Sequence, residues 1–461
     1  MNGLENKNET MNEDFVANHF GRYLEETNRF QSYLYSYPHK TAYRSFEEKI
    51  DLKKLWAPEN KNALYLYTHI PFCKMKCSFC NLFTVSHPKE DLVQLYLEKI
   101  QLEAEVVKEN LGQFQFSGYA VGGGTPSHLS IPQLEQLFSV YTNTLGVDLK
   151  NTPGSFEISP DTINDEKLRF LSDHGVQRLS IGIQSFIESE ARSVGRVQPE
   201  TVMEPLLEKI TRYEFPIFNL DLIYGISGQT PETWLASLKK AVQFEPTEIF
   251  LYPLYIRPLT SLYKKRSSIA ISANEDIREL LYQIGREFLL AKGYVQDSMR
   301  LFRKPVKGLL ASSEYSCQED GMIGLGTNAR SYTTDVHYST EYAVAKPNVA
   351  AIIDNYVGKN RSDFSSAHYG IRLSLDDRKR RYLIKSLLKQ QGLDGAHYQS
   401  IYGTNVYQDF PELNTLVSMN LAQQQDQRLQ LQGNGLAYSD LIGHWFISPS
   451  VKLKMQEYVA R

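Results

Sequence analysis

The most informative stretch of the chain reads Tyr67-Thr-His-Ile-Pro-Phe-Cys73-Lys-Met-Lys-Cys77-Ser-Phe-Cys80-Asn-Leu-Phe83. It contains three of the chain's four cysteines, and Cys317 lies far from them in the sequence. Disulfide frameworks of secreted proteins use an even and dispersed set of cysteines, whereas three crowded thiols suit a metal centre in a reducing compartment. We therefore predict that Cys73, Cys77 and Cys80 hold a metal centre.

The Cys-x3-Cys-x2-Cys spacing favours a [4Fe–4S] cluster. Three thiolates can bind three corners of the cubane and leave the fourth iron open. An open iron can chelate the amino and carboxylate groups of a methionine, and reductive cleavage of S-adenosylmethionine there would give a 5′-deoxyadenosyl radical. Lys74 and Lys76 stand between the thiols and would favour their thiolate forms.

Two other interpretations of the cysteines are open. A structural zinc site could be completed by His69 or His87, but zinc sites usually pair their ligands in two knuckles, and the sequence has no second one. The cysteines could also be small buried hydrophobes, which the lysines between them disfavour. We expect His69 to be a structural hydrogen-bonding group rather than a metal ligand.

Strands and helices alternate around and beyond this motif. Short apolar or alternating runs predict strands at Ala63–Ile70, Gly118–Val121, Phe156–Ser159, Arg178–Gln184, Ile217–Tyr224 and Glu248–Tyr255. Helix faces are predicted from Leu97, Ile100, Ala104 and Val107, and from Ile277, Leu280, Leu281, Ile284 and Phe288. The alternation predicts an α/β fold with a parallel sheet, arranged as a full or partial barrel whose chemistry lies at the carboxyl ends of the strands.

A glycine-rich run, Gly122-Gly123-Gly124-Thr125-Pro126-Ser127, directly follows one predicted strand. Bare glycine backbone permits close approach of a ligand and leaves its N–H and C=O groups accessible. The run lacks the Gly-Lys-Ser/Thr of a phosphate loop, and it has Ser127 where a dinucleotide fingerprint needs its third glycine. It is therefore either a cofactor cradle of another kind or a simple tight turn.

Four polar residues, Glu157, Gln184, Arg196 and Asp221, lie at or near later strand ends. Asp221 is the most informative, because an uncompensated carboxylate inside an apolar strand costs several kcal/mol. A pair of ribose hydroxyls or a cationic ligand would justify it, and so would an ion pair with a core arginine.

Composition limits the class of protein. The chain has 461 residues, enough for a large core and a smaller appended domain. Its 50 basic and 53 acidic residues give a net charge of −3, which implies no nucleic-acid or membrane partner. The polar first residues and the lack of a run of about 18 apolar residues predict a cytoplasmic protein without a signal peptide or membrane span.

The motif Tyr-x-His-Ile-Pro-Phe-Cys resembles radical S-adenosylmethionine enzymes and, more narrowly, the oxygen-independent coproporphyrinogen III oxidase family with its haem-chaperone members. The resemblance covers residues 65 to about 300 and returns near Ser439-Asp440. It implies a partial (β/α)6 barrel with a small, mainly helical C-terminal domain. It also implies a [4Fe–4S] cluster on the three cysteines and S-adenosylmethionine contacts from Tyr67, Phe79, Gly123, Gly124, Thr125, Glu157, Gln184, Arg196 and Asp221.

The expected domain order has four parts. Residues 1–50 form a partly flexible N-terminal segment that covers the barrel, and residues 51–300 form the barrel. Residues 301–370 form a glycine-containing extension, and residues 371–461 form the C-terminal domain.

The sequence differs from the coproporphyrinogen oxidases at one motif. Coproporphyrinogen dehydrogenases carry a further cysteine in a Cys-Gly-Cys ending, whereas Asn81 and Leu82 follow Cys80 here. Three functions stay open: a radical enzyme acting on a specialised metabolite by hydrogen abstraction, methyl transfer or ring formation; a tetrapyrrole enzyme; and a haem chaperone. The implied partners are a small or tetrapyrrole-like substrate and an electron donor such as flavodoxin or ferredoxin.

Two aromatic and basic segments, Tyr37–Arg44 and Tyr252–Arg257, are expected to line the substrate chamber. The second lies at the end of the last predicted barrel strand, on the reactive face. Tyrosine and arginine together suit a substrate with a carboxylate or a planar ring. The alternative is that both segments close the bottom of the barrel or pack on the C-terminal domain.

Overall fold

A computed structural model describes residues 13–30, 33–34, 36–196, 199–265, 276–305 and 321–459. Cys317 and the beginning of the predicted flexible start lie outside these described residues.

The strands are β1 Arg44–Asp51, β2 Leu64–Ile70, β3 Phe72–Cys73, β4 Val85–Ser86, β5 Phe116–Gly123, β6 Gly154–Ile158, β7 Val176–Gln184, β8 Ile217–Tyr224, β9 Glu248–Pro253, β10 Val295–Gln296, β11 Leu301–Arg303, β12 Met322–Leu325, β13 Ser331–Tyr332, β14 Val336–Tyr338, β15 Ser366–Arg372, β16 Leu393–Asp394, β17 Ala422–Gln425 and β18 Arg428–Leu431.

The helices are α1 Glu13–Glu26, α2 Leu52–Trp56, α3 Glu90–Leu111, α4 Ile131–Ser139, α5 Asp165–Asp173, α6 Glu188–Ser193, α7 Glu200–Arg212, α8 Pro231–Gln243, α9 Ser261–Lys265, α10 Arg278–Ala291, α11 Lys346–Gly358, α12 Leu375–Leu387, α13 Gly395–Tyr402, α14 Val406–Asp409, α15 Leu413–Ser418, α16 Ser439–Trp445 and α17 Pro449–Gln456.

A parallel sheet forms the centre of the fold. Strands β2, β5, β6, β7, β8 and β9 pair side by side in chain order, and every one of these pairs is parallel. They correspond to the six predicted strands, so the α/β class is confirmed. The sheet continues to β1 at one edge and β10 at the other, and within the described ranges no ladder joins these edges. The arrangement is therefore a partial rather than a closed barrel.

Helices cover the outside of the parallel strands, as βαβ units require. The predicted face of α3 is confirmed, since Leu97, Ile100, Ala104 and Val107 are all buried. Helix α8 begins with a capping box, in which Thr230 and Thr233 exchange side-chain and backbone hydrogen bonds.

The predicted face of α10 is confirmed only at Leu281. Ile277 and Leu280 are exposed, and the buried stripe is Leu281, Tyr282, Gly285 and Leu289. The cause is Gly285, where a Cβ atom would lie 2.9 Å from Leu251 Cδ1 and 3.2 Å from the Trp234 ring. The small residue lets the helix pack closely on α8 and β9, which a hydrophobicity pattern does not reveal.

The region after residue 300, in which no strands are predicted from the sequence, contains further strands. Strand β12 extends the parallel set by pairing with β2. Strands β13, β14, β15 and β1 continue from it as antiparallel neighbours. These strands are mostly short, so they carry little period-two signal.

The chain divides into two compact units. The larger contains residues Lys40–Gln296, Arg300–Ser374 and Ser450–Arg461. The smaller contains Met1–His39, Asp297–Met299 and Leu375–Pro449. Within its described residues the smaller unit is mainly helical, with one antiparallel sheet in the order β16-β18-β17. The four-part division made from the sequence stays a prediction.

Among the described residues, none of the helices is both long and apolar enough to span a membrane.

Candidate cluster and cofactor site

The three cysteines lie on a loop that begins at the carboxyl end of the parallel sheet. Strand β3, which ends at Cys73, pairs with β4 and anchors the start of the loop. Its centre is held by Ser78, whose N–H donates to the Val194 carbonyl at 3.0 Å and whose carbonyl accepts from the Leu262 N–H at 2.8 Å. The connections after β7 and β9 thus fix the conformation of the cysteine loop.

The thiols are close enough to influence one another. Burial raises the pKa of Cys73 to about 12, and the charges of Cys80 and Cys77 raise it further, whereas Thr125 and Arg196 lower it. Burial likewise raises the pKa of Cys77, and Arg196 opposes this. A thiolate here therefore requires a strong positive partner, such as the iron of a cluster.

The prediction that the flanking lysines favour thiolates is wrong. Lys74 is exposed, and Lys76 donates from Nζ to the Val344 carbonyl at 3.0 Å. The cation that lowers the thiol pKa values is Arg196, which lies more than a hundred residues further along the chain.

The two histidines considered for zinc are positioned differently from ligands. His69 is buried, and its ring nitrogens lie 3.1 Å from the Tyr67 hydroxyl and 3.0 Å from the Phe83 carbonyl. Both nitrogens are thus engaged in hydrogen bonds, as a structural histidine requires. His87 is exposed. In the part of the chain that the structure describes, no group of three or more His, Cys, Asp or Glu side chains could hold a single metal ion.

The glycine run forms a tight cradle beside the cysteine loop. Gly123 has φ of +117°, and a Cβ there would lie 2.6 Å from the His69 ring. A Cβ on Gly124 would lie 3.0 Å from Cys73 Sγ. The Thr125 hydroxyl donates to that sulfur at 3.5 Å. These positions require glycine because the backbone approaches the cysteine loop so closely.

Glu157 and Asp221 face the space beside this cradle. Glu157 accepts a hydrogen bond at 3.1 Å from the Gly123 N–H. The Glu157 side chain is exposed to solvent. Neighbouring protein atoms nevertheless crowd its carboxyl group, and this burial raises the pKa of Glu157. Burial raises the pKa of Asp221 to about 6, although hydrogen bonding to Asn219 and the charges of Arg178 and Arg196 lower it. The charge of Asp221 also raises the pKa of Glu157.

The core arginine near Asp221 has another ion-pair partner. Arg178 donates from Nε to Glu248 at 2.8 Å. Asp221 instead accepts a hydrogen bond from Asn219 Nδ2 at 2.8 Å. The ion-pair explanation of Asp221 is therefore weaker than the ligand explanation.

Gln184 and Arg196 meet at the end of β7. A Cβ on Gly182 would lie 2.6 Å from Gln184 Nε2 and 3.4 Å from an Arg196 terminal nitrogen. Gln184 has φ of +71°, an uncommon conformation for a non-glycine residue, which turns the strand end. Arg196 donates to the Ser159 hydroxyl at 2.9 Å.

Phe79 has an apolar environment. It packs, together with Tyr252 and Leu262, against a buried cluster of Val194, Ile223, Ile226 and Leu254. The structure therefore places the segment after β9 beside the cysteine loop.

Four residues of the site were not predicted from the sequence: Ser78, Ser159, Arg178 and Asn219. Asn219 could have been found, since it lies two residues before Asp221 and so shares its face of β8. Arg178 and Ser159 contact Glu248 and Arg196, which are distant in the sequence, so these contacts depend on the fold and are not visible in one sequence.

The two predicted chamber segments differ. Tyr37 is fully buried in the smaller unit and donates to Asp377 at 2.8 Å, so its predicted contact with substrate is wrong. Lys40, in the larger unit, lies 3.7 Å from the centroid of the Tyr342 ring, and the Tyr342 hydroxyl donates to the Asn81 carbonyl of the cysteine loop at 2.8 Å.

In the second segment, the Arg257 guanidinium lies 5.0 Å from the Tyr255 ring centroid. Arg300, which is buried, donates to the Tyr255 hydroxyl.

The residues present fit a cluster with a bound adenosyl cofactor. Three thiols lie on one loop, the bare backbone of Gly124 lies beside Cys73, and the carboxyl group of Glu157 accepts a hydrogen bond from the Gly123 N–H. Among the described residues, buried polar atoms without a hydrogen-bond partner include Arg196 Nε, Ser78 Oγ and Asn219 Oδ1. Unsatisfied buried groups at one site are expected where a ligand or water completes the bonding.

Comparison with known proteins gives consistent results. Residues 67–241 match the model of the Radical SAM superfamily. The chain is 28% identical to an oxygen-independent coproporphyrinogen III oxidase of Synechocystis, over 80% of this chain and 82% of that protein. It is 23% identical to the haem chaperone HemW of Lactococcus lactis, over 83% and 96% respectively.

The solved structure of the coproporphyrinogen III oxidase of Escherichia coli shares the fold. It aligns with a TM-score of 0.76 and 24% identity, over 90% of this chain and 97% of that one. Proteins of the superfamily use a [4Fe–4S] cluster and S-adenosylmethionine, the two cofactors predicted from the sequence. Residues 67–241 of the chain are thus similar to the radical SAM superfamily, and the proteins that the chain resembles over most of its length include oxygen-independent coproporphyrinogen III oxidases and a haem chaperone.

Proposed function

We propose that this chain is a radical enzyme that binds a [4Fe–4S] cluster on Cys73, Cys77 and Cys80 and cleaves S-adenosylmethionine reductively. The observation that carries the proposal is the position of Arg196. This one side chain lowers the pKa values of two of the thiols and of Asp221, which supports assigning the predicted cluster and cofactor residues to a single site.

The bound cofactors would supply a 5′-deoxyadenosyl radical for hydrogen abstraction or group transfer. The chain's own residues position them. The backbone of Gly123 and Gly124 offers polar groups without side-chain obstruction, beside Cys73. Glu157 and Asp221 present carboxylate oxygens to hydroxyl or ammonium donors, and Gln184 adds a neutral amide.

Arg196 has two effects in this arrangement. Its charge favours thiolates at Cys73 and Cys77, which metal binding requires. It also favours the ionised form of Asp221, which is the form that accepts hydrogen bonds from hydroxyl groups.

The substrate we propose is an anionic, ring-containing molecule of the tetrapyrrole class. Cationic and aromatic groups support this: Lys40 beside Tyr342, and Arg257 and Arg300 beside Tyr255. Guanidinium groups bind carboxylates in a fork geometry, and aromatic rings stack on planar ligands. The similarity to coproporphyrinogen oxidases over most of the chain agrees with this class.

Anaerobic reconstitution tests the cluster. We expect about four irons per chain, since one cubane contains four. Changing Cys73, Cys77 and Cys80 to Ala should abolish the brown chromophore. Stoichiometric zinc in the purified chain, with no iron taken up on reconstitution, would contradict the proposal.

A haem chaperone is the second candidate, because the chain aligns over 96% of the Lactococcus lactis protein. Titration with haem separates the two. A saturable haem complex together with absence of 5′-deoxyadenosine would favour the chaperone, whereas 5′-deoxyadenosine formation would favour the enzyme.

A further inference from the structure

A group of polar side chains lies almost completely buried beside the carboxyl ends of β7 and β8. Its members, each 4% exposed or less, are Ser185, Glu190, Gln229 and Ser237. Glu190, in the first turn of α6, is the titratable member, and the proposed chemistry does not use it. Burying a carboxylate is costly unless its oxygens find donors, so the contacts of Glu190 indicate its role.

One carboxyl oxygen of Glu190 joins the two strand ends. Oε2 accepts hydrogen bonds from the Ser185 hydroxyl at 2.7 Å and from Gln229 Nε2 at 3.0 Å. Ser185 directly follows β7, and Gln229 accepts a hydrogen bond at 2.7 Å from the N–H of Gly225, which directly follows β8. Strands β7 and β8 carry two of the predicted cofactor residues, so Glu190 holds the ends of two strands of the site together.

The helix that is anchored in this way, α6, continues directly into the cluster and cofactor site. The Arg196 N–H donates to the Ala191 carbonyl of α6 at 2.8 Å. The Val194 carbonyl accepts from the N–H of Ser78, at the centre of the cysteine loop, at 3.0 Å. A Cβ on Gly195 would lie 3.0 Å from the same Ser78 nitrogen, so the helix end and the loop are in close contact. A shift of α6 would therefore move Arg196 and the cysteine loop together.

The other carboxyl oxygen of Glu190 has a different environment. Oε1 is buried without a hydrogen-bond partner among the described residues. The described contacts of the carboxyl group are the two hydrogen bonds to Oε2, and neither donor is a cation. Glu190 is thus held by hydrogen bonding rather than by neutralisation of its charge. Buried polar networks of this kind fix the positions of their members.

We propose that Glu190 is a positioning residue of the cluster and cofactor site. Through Ser185 and Gln229 it holds α6 against the ends of β7 and β8, and α6 in turn positions Arg196 and the centre of the cysteine loop. The inference rests on the proposed function, which assigns these elements to the cluster and S-adenosylmethionine. It requires the hydrogen-bonding oxygen of Glu190 and does not require its charge.

Hydrogen–deuterium exchange of the cofactor-free chain measures the positioning directly. In Glu190→Ala we expect the amides of Ser78 and Arg196 to exchange at least about fivefold faster than in the native chain, because loss of a buried hydrogen-bonding group favours local opening. Glu190→Gln keeps an acceptor oxygen and the same shape, and should exchange as the native chain does. Glu188→Ala is the matched control, since Glu188 is an exposed acid on the same helix.

Equilibrium dialysis of the reconstituted chain with S-adenosylmethionine measures the consequence. Glu190→Ala should bind roughly ten- to a hundredfold more weakly, the usual effect of losing a group that orients the ligands of a metal site. Glu190→Gln should bind as the native chain does. Ser185→Ala, which removes one hydroxyl donor, is a milder variant should Glu190→Ala fail to fold, and we expect a smaller loss in both measurements.

A second control separates positioning from loss of stability. Leu111 is buried at the end of α3, shortly before β5 begins, and so lies at the opposite end of the parallel strands from the site. Leu111→Ala should destabilise the fold by leaving a cavity, yet keep native affinity for S-adenosylmethionine.

Native exchange and native affinity in Glu190→Ala would overturn the inference. Equal losses in Glu190→Ala and Glu190→Gln would also overturn it, because the charge rather than the hydrogen bonding would then matter. So would an equally large loss in Glu188→Ala or Leu111→Ala. The proposed function fails separately, if the native reconstituted chain binds no S-adenosylmethionine while amide exchange of Ser78 still depends on Glu190.

Discussion

Arg196 acts electrostatically on both the thiol and the carboxyl groups of the site. Its charge lowers the pKa values of Cys73, Cys77 and Asp221, and one of its terminal nitrogens donates to Ser159. Its Nε is buried without a partner among the described residues. A buried donor without a partner on a half-buried cation is costly, and a bound carboxylate or other acceptor would compensate for it.

The first prediction for single residues concerns the carboxylates of Asp221 and Glu157. Asp221→Ala and Glu157→Ala should each weaken S-adenosylmethionine binding ten- to a hundredfold, since a lost charged hydrogen bond costs ~1.5–3 kcal/mol. Iron content should stay unchanged, because neither residue is a thiol ligand. Equilibrium dialysis of the reconstituted variants measures both quantities. Glu135→Ala, an exposed acid on α4, serves as the control. Native affinity in both variants would assign the two carboxylates a structural role.

The titration of Asp221 gives a second prediction. Burial raises its pKa from 3.8 to about 6. Between about pH 4 and 6 the folded, cofactor-free chain therefore keeps a proton that the unfolded chain releases, and Asp221 lowers stability as the pH rises through this window.

Replacing Asp221 by the uncharged Asn should abolish this loss of stability with rising pH. We expect the free energy of unfolding of Asp221→Asn, relative to the native chain, to increase by up to about 3 kcal/mol from pH 4 to pH 7, at ~1.4 kcal/mol per pKa unit. Urea unfolding of the cofactor-free proteins measures it. A difference that is the same at both pH values would show that Asp221 does not titrate in this window.

At the scale of structural elements, the glycine run at the end of β5 determines how closely the backbone approaches the cysteine loop. We predict that Gly123→Ala lowers both iron content and S-adenosylmethionine affinity, because its Cβ would lie 2.6 Å from the His69 ring. Gly146→Ala is the control: its φ is also positive, +72° against +117° at Gly123, but nothing lies within 4 Å of the added Cβ. The two variants share backbone strain, so equal behaviour of both would contradict a steric role of Gly123.

The parallel strands were predictable as elements because each is a buried apolar run bounded by turn residues, as Ile217–Tyr224 illustrates. Strands such as β13, with two residues, carry no such pattern and form through pairing with their neighbours. The face of α10 was not predictable, since Gly285 rather than an apolar side chain marks its closest approach to the sheet.

At the scale of the whole molecule, the sequence predicts the residues that would bind the cofactors better than it predicts the contacts around them. The cysteines, the glycine run and Asp221 are visible because each breaks the local pattern of its surroundings. Lys40 and Tyr342 are not, because their contact joins residues about 300 positions apart along the chain. Substrate recognition depends on such contacts, which explains why the sequence gives the chemistry more readily than the substrate.

The most direct test of the account is formation of 5′-deoxyadenosine. Reconstituted chain, incubated anaerobically with dithionite and S-adenosylmethionine, is analysed by liquid chromatography and mass spectrometry. We predict 5′-deoxyadenosine from the native chain and none from the variant with Cys73, Cys77 and Cys80 changed to Ala. Absence of the product from native chain that carries about four irons, or equal amounts from both proteins, would contradict the account.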